Sequence, residues 1–108
     1  MKRILILLFA LCASLTAHAQ TAEITAAQWA QPRHGEWLLQ QAGIADVIHN
    51  LQQHPNSRVQ IRYPGGDQGA WWAEELQAWL VALGLPSSRI ERVPGSASAD
   101  RIQLQLLP

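Results

Sequence analysis

From residue 44 onward the chain switches between two hydrophobic periods. Ile44, Val47, Ile48 and Leu51 recur at i, i+3, i+4 and i+7, the stripe of an amphipathic helix resting on a core. The spacing predicts a helix from Ile44 to about Gln53. It ends at His54-Pro55-Asn56, because proline disfavours helical geometry in the residue before it. Trp37 would join the same stripe if the helix began early, but Gly43 predicts an interruption there. The period then shortens to two. Val59, Ile61 and Tyr63 fall on one side and Arg58, Gln60 and Arg62 on the other, which predicts a strand.

Pro64-Gly65-Gly66-Asp67-Gln68-Gly69 reads as a turn, rich in residues that tolerate unusual backbone angles. The next helix has the clearest pattern. Trp72, Leu76, Trp79, Leu80 and Leu83 fall within about 100° of one another on a helical wheel. Gly84 stands where a left-handed cap belongs and Pro86 follows as a stop. Arg89 to Val93 reads as a short strand, Pro94 to Asp100 as a loop, and Arg101 to Leu106 as a last strand. There Ile102, Leu104 and Leu106 alternate with Arg101, Gln103 and Gln105, so one face of the sheet meets water. Gln20 to Gln31 is weakly patterned around Ile24, Ala26 and Trp29 and could be a first strand or a tether. Pro32 to Glu36 breaks regular structure. The expected fold is an α/β domain of the α+β sandwich kind, in the order (β)αβαββ. Two helices pack on one face of a small mixed sheet, the economical way to bury two single stripes.

The start of the chain follows a different logic. Lys2 and Arg3 precede an apolar run from Ile4 to Leu15, and Ala17-His18-Ala19 puts small side chains where a signal peptidase reads. That layout predicts a cleavable signal over residues 1–19, cut before Gln20, since the run is too short to span a bilayer comfortably. An uncleaved N-terminal anchor is the alternative. Cys12 does not make a lipoprotein signal, because Leu11 precedes it and it lies inside the apolar run.

Cleavage would leave 89 of the 108 residues, enough for one domain with one core. The domain expected is an N-terminal segment over 20–36 followed by 37–108. That mature chain contains no cysteine, so it must be held by apolar packing even in an oxidising compartment. Removing Lys2 and Arg3 leaves six arginines against eight acids, a net of −2. The balance argues against nucleic acid as a partner. No second long apolar stretch predicts a membrane span. The compartment implied by export is the periplasm.

Two stretches carry a family resemblance. "IADVIHNLQQHPNSRVQI" and "LQAWLVALGLPSSRIERVPGS" resemble the first helix with its central strand, and the second helix with its Leu-Gly-Leu-Pro exit, of the OmpA-like C-terminal domain of peptidoglycan-associated proteins. The resemblance covers Ile44 to Leu106. It implies an envelope setting and a site where an aspartate and an arginine grip the charged ends of diaminopimelate. Asp67 is a shifted candidate for that aspartate. Trp72 stands where the arginine would, and the Asn-x-x-Leu-Ser run that enters the family's helix is missing. A zwitterion needs paired opposite charges, so the departure implies weak or lost binding of the family type. The wording "IRYPGG…WAEEL…WLVALG" also resembles small exported bacterial proteins.

Candidate chemistry is sparse. The turn before the second helix could hold an anion at the helix N-terminus, yet Asp67 brings a negative charge to it, and a carboxylate cap on the helix is the simpler reading. Trp71 lies well over 90° from the apolar stripe, beside Glu75, Ala78 and Ala82. It is either an exposed aromatic platform for a sugar or a protein, or it packs where the first helix approaches Ala78 and Ala82. Arg58, Arg62 and Tyr63, with Arg101, could form a basic stripe suited to carboxylates or phosphates, or a solvated face balanced by Glu91. His49 and His54 are five apart, the wrong spacing for helical metal ligands. Glu74 and Glu75 splay apart as neighbours on a helix, and no serine is marked for a triad. The expectation is a non-enzymatic periplasmic module without a cofactor or metal. Its partner would be a cell-envelope protein or peptidoglycan, and the alternative is an accessory subunit of an envelope complex.

Overall fold

The strand at the centre of the chain is also central in the sheet. The computed structural model describes residues 21–107, so the expectations for residues 1–19 and for the cleavage site lie outside the described residues. Strand β1 is Thr21–Thr25. Three helices follow: α1 (Ala26–Trp29), α2 (Gly35–Gln40) and α3 (Ile44–Gln53). Strand β2 (Arg58–Tyr63), helix α4 (Asp67–Ala82), a 3₁₀ turn at Ser87–Arg89, strand β3 (Ile90–Pro94) and strand β4 (Arg101–Leu107) complete the order. The strands lie in the order β1-β4-β2-β3. Strand β4 runs antiparallel to both neighbours, with Thr25 opposite Arg101 and Ile61 opposite Leu104. Strands β2 and β3 are parallel, with Val59 beside Ile90, which is why a whole helix must intervene between them.

The pleat sorts residues as the alternation predicts. Ala22, Ile24, Val59, Ile61, Ile102 and Leu104 are all buried, on one face. Ile44, Val47, Ile48 and Leu51 of α3 and Leu76 and Leu80 of α4 close over them in one core. The result is a two-layer α+β sandwich with helices on one side of a mixed sheet. Helix α3 and strand β2 occupy the predicted ranges.

Four departures have physical reasons. The weakly patterned start is a strand, because Ala22 and Ile24 alternate inward and the backbone pairs with β4. Where the sequence predicts a break, two short helices form. Helix α1 begins with a capping box: the Thr25 side chain accepts from the Gln28 backbone N–H, and Gln28 Oε1 accepts from the Thr25 N–H at 2.8 Å. Helix α2 is capped by His34, whose Nδ1 accepts from the Trp37 N–H at 3.2 Å, and it buries Trp37 and Leu38.

The stripe of α4 is also rotated from the predicted one. Its innermost residues are Gly69, Ala73, Leu76 and Leu80, while Trp72, Trp79 and Leu83 pack at the margin of the core. Small side chains let the helix approach the sheet, and the indoles lie to the sides. Its end is as predicted. Gly84, at φ 108°, donates to the Val81 carbonyl, and the Leu85 N–H reaches the Leu80 carbonyl at 3.1 Å. This is a Schellman motif, and buried Leu85 and Leu80 supply its apolar contact. Finally, Arg89 belongs to the 3₁₀ turn rather than to β3.

Candidate functional site

One proline and two glycines lie between the end of β2 and α4, a third glycine stands in the first turn of the helix, and one close approach fixes their path. A Cβ added to Gly69 would lie 1.7 Å from the Pro64 carbonyl oxygen. Only glycine lets the first turn of α4 fold back on the end of β2. This places Pro64, Gly65 and Gln68 opposite α1 and forms a cleft of about 480 Å³ walled by Trp29, Trp71 and Trp72. Ala99, from the β3–β4 loop, borders it as well. That loop is held in place because the Tyr63 carbonyl accepts from the N–H groups of Gly95 and Ser96, and the Asp100 carbonyl from Ala26.

Four of the five tryptophans in the sequence stand behind this cleft. The Trp29 and Trp72 rings are 5.8 Å apart, and Trp37 meets Trp29 edge-on at 6.0 Å, separations typical of favourable aromatic pairs. Arg33 lies over the Trp29 ring, its Cζ 4.6 Å from the centroid. Its guanidinium also forks onto Glu75, with Nε to Oε2 at 2.7 Å and Nη2 to Oε1 at 3.2 Å. Trp79 donates from Nε1 to the same Oε2. The Arg33 bonds, aided by that of Trp79, hold the Glu75 carboxyl below its ordinary value against the opposing effect of partial desolvation. Trp72 Nε1, by contrast, is buried and has no acceptor among the described residues.

Trp71 is 67% exposed, and Ala78 and Ala82 beside it face solvent. The packing alternative for Trp71 is therefore overturned, because α3 covers a different part of the sheet. Asp67 does not cap α4. Gly66 is the N-cap, without a side-chain cap, and exposed Asp67 is the first helical residue, where its charge still favours the helix dipole.

Arg58, Arg62 and Arg101 share the open face of the sheet, but Tyr63 points to the other side and packs against the core. Arg58 pairs with Glu91 at 3.6 Å and Arg101 with Glu23 at 3.1 Å. Arg62 donates to Gln60 Oε1. The arginines therefore lie mostly in a balanced, solvated face with Gln60, Gln103 and Gln105. The structure does not bring them together with Trp71, which belongs to the helical layer. Residues missed at the sequence level are Arg33, Trp29 and Glu75 as a unit. Nothing local marks Arg33, which meets Glu75 across 42 positions of chain.

A second concavity of about 560 Å³ lies at the C-terminal end of α3, between His54, Pro55 and Leu106. His54 Nδ1 is engaged with the Asn50 carbonyl. Among the described residues no three of His, Cys, Asp and Glu converge as metal ligands would. No helix among them is long and apolar enough to cross a membrane. The chain matches no protein-family model, and no curated protein matches its sequence.

Proposed function

We propose that this chain is a non-enzymatic binding module of the bacterial cell envelope, exported to the periplasm, and that it engages its partner through the cleft bearing Trp71. One observation carries the reading. A tryptophan that is 67% exposed stands on the rim of a cleft whose other aromatic walls are packed against the core. An exposed indole at the edge of an aromatic-walled cleft is placed where a ligand can meet it, and tryptophan is enriched at binding hot spots. The signal-like first 19 residues and the resemblance of Ile44–Leu106 to OmpA-like domains support the envelope setting.

The chemistry of the cleft supports binding rather than catalysis. Glu75 is neutralised by Arg33, so it is a poor general base, and no nucleophile is among the residues that line the cleft. Peptidoglycan binding by the family's charge pair has little support, since Trp72 occupies the position of the arginine and Asp67 forms no ion pair among the described residues.

A second reading has its own observation. The sheet face with Gln60, Arg62, Gln103 and Gln105 carries no helix among the described residues, as suits an accessory subunit docked on a larger envelope protein. A photo-reactive residue placed at position 71 or at position 105 of the full chain in living cells separates the two. Adducts to envelope material from position 71 support the cleft reading. Adducts from position 105 alone support the docked subunit. A lone monomer with neither adduct overturns both.

A further inference from the structure

The cleft's chemistry specifies a class of ligand more narrowly than its shape does. Its volume of about 480 Å³ suits a small molecule or one unit of a chain. Among its lining residues the one ionisable side chain is Glu75, whose charge is already answered by Arg33. A phosphate, a free carboxylate or a zwitterion would therefore find no opposite charge to pair with.

The remaining polar groups are of both kinds. The Gln68 amide offers both roles, and Glu75 keeps a lone pair beyond those taken by Arg33 and Trp79. Around them stand the indoles of Trp71, Trp29 and Trp72. A purely aliphatic ligand would leave Glu75 and the Gln68 amide unanswered. A proline-rich peptide offers carbonyl acceptors but few donors, so Glu75 would lose water without replacement. A nucleotide would stack, yet its phosphates would meet no free cation among the lining residues.

Resting on the reading of the domain as an envelope-binding module, we propose that this cleft binds a neutral sugar ring of a glycan chain. The ring's C–H face lies on the exposed indole of Trp71, and its hydroxyls donate to Glu75 and exchange hydrogen bonds with the Gln68 amide. Hydroxyl groups alone among common ligand groups donate and accept with the same atom, which is what a mixed and uncharged set of partners requires. Trp71 stands at the edge of the cleft and is largely exposed, so a ring inside a longer chain can lie on it.

The test uses protein purified after expression of the full chain and, as probe, the β-1,4-linked tetramer of N-acetylglucosamine. Titration is followed by calorimetry and by the indole N–H signals in NMR. The expected result is saturable binding that shifts the Trp71 and Trp72 indole signals. Trp71→Ala should weaken it at least about tenfold, and Gln68→Ala, at an exposed lining residue, should weaken it while leaving the fold intact by circular dichroism. Leu39→Ala, an exposed apolar change outside the cleft, should bind as wild type. No saturable binding up to about 10 mM, or binding indifferent to Trp71→Ala, overturns the proposal. Trp71-dependent binding of a proline-rich peptide or a charged stem peptide, with none of the tetramer, overturns it as well. If position 71 still forms envelope adducts in cells while the tetramer fails, the ligand class is wrong and the binding-module reading stands. If both fail, the two fall together.

Discussion

Arg89 ends helix α3 from the far side of the chain, and its principal partner is Ser57. Arg89 Nε donates to the Ser57 carbonyl at 2.9 Å, and Nη2 to the Ser57 hydroxyl at 3.3 Å. The same Nη2 reaches the carbonyls of Leu51 at 2.7 Å and His54 at 2.8 Å. The last carbonyls of a helix have no partner within it. Here a residue 38 positions after Leu51 supplies donors and ties α3, the entry to β2 and the approach to β3 into one corner.

Arg89→Ala should therefore cost about 2–3 kcal/mol, since carbonyls partly closed to water lose a charged donor. Arg89→Lys should recover only a fraction, because an ammonium cannot span several carbonyls with a planar fork. The urea midpoints of the three proteins check this. Equal midpoints for wild type and alanine would mean that water replaces the guanidinium freely.

Gly69→Ala should be among the most damaging single-methyl changes in the chain. The new Cβ would meet the Pro64 carbonyl oxygen at 1.7 Å, and both partners are backbone, so a whole loop must move. Overpacking of this kind implies a loss of at least about 2 kcal/mol. Gly65→Ala is the control, since a methyl added there would find nothing within 4 Å. That variant should stay within about 0.5 kcal/mol of wild type. Thermal unfolding of both variants measures the contrast.

The elements legible in the sequence are those with one strong period and a clear stop. Helix α3 and strand β2 satisfy both, with Ile44, Val47, Ile48 and Leu51 at helical spacing and Val59 and Ile61 at strand spacing. Helix α4 is legible at its C-terminal end but not at its start, where Asp67 to Gly69 read as part of the turn and are its first turn, nor in rotation. Its largest apolar residues, Trp72 and Trp79, draw the expected stripe toward themselves, whereas contact with the sheet selects the small Gly69 and Ala73. Helix α1 is marked by its Thr25-Ala-Ala-Gln28 capping box, a signal that a weak apolar pattern hides, and α2 hides behind Pro32 and Gly35. At the site, Trp71 is visible from its angle on the wheel. Arg33 and Trp29 are not, because their roles come from contacts across the fold and no local pattern encodes them.

The pair Arg33–Glu75 gives a pH dependence with a definite sign. Hydrogen bonds from Arg33 lower the Glu75 pKa in the folded state. The contribution is therefore fully present above the ordinary glutamate pKa of about 4.3 and is lost as pH falls through the lowered folded value. The side chains are 29% and 41% exposed, so solvent screening keeps the net effect below about 1 kcal/mol. Glu75→Gln should unfold at lower urea than wild type at pH 7, and the gap should close as pH falls below about 4. High salt should narrow it too. A gap that stays constant across that range would remove the ion pair from the stability of the domain.

Trp72 and Trp79 permit the same chemical change at two sites on α4, with opposite expected results. Both pack against the margin of the core. Trp79 Nε1 donates to Glu75 Oε2 at 3.2 Å, whereas Trp72 Nε1 is buried with no acceptor among the described residues. Indole to phenyl removes an N–H and some apolar area in each case. At position 79 it also deprives a carboxylate of a donor, so Trp79→Phe should lower stability by about 1–2 kcal/mol. At position 72 it removes an unsatisfied donor whose burial costs about 1–3 kcal/mol, enough to offset the lost area. The urea midpoint of Trp72→Phe should equal or exceed that of wild type, while that of Trp79→Phe falls. If both variants lose stability equally, packing area alone governs these two indoles, and the hydrogen bond to Glu75 contributes nothing measurable.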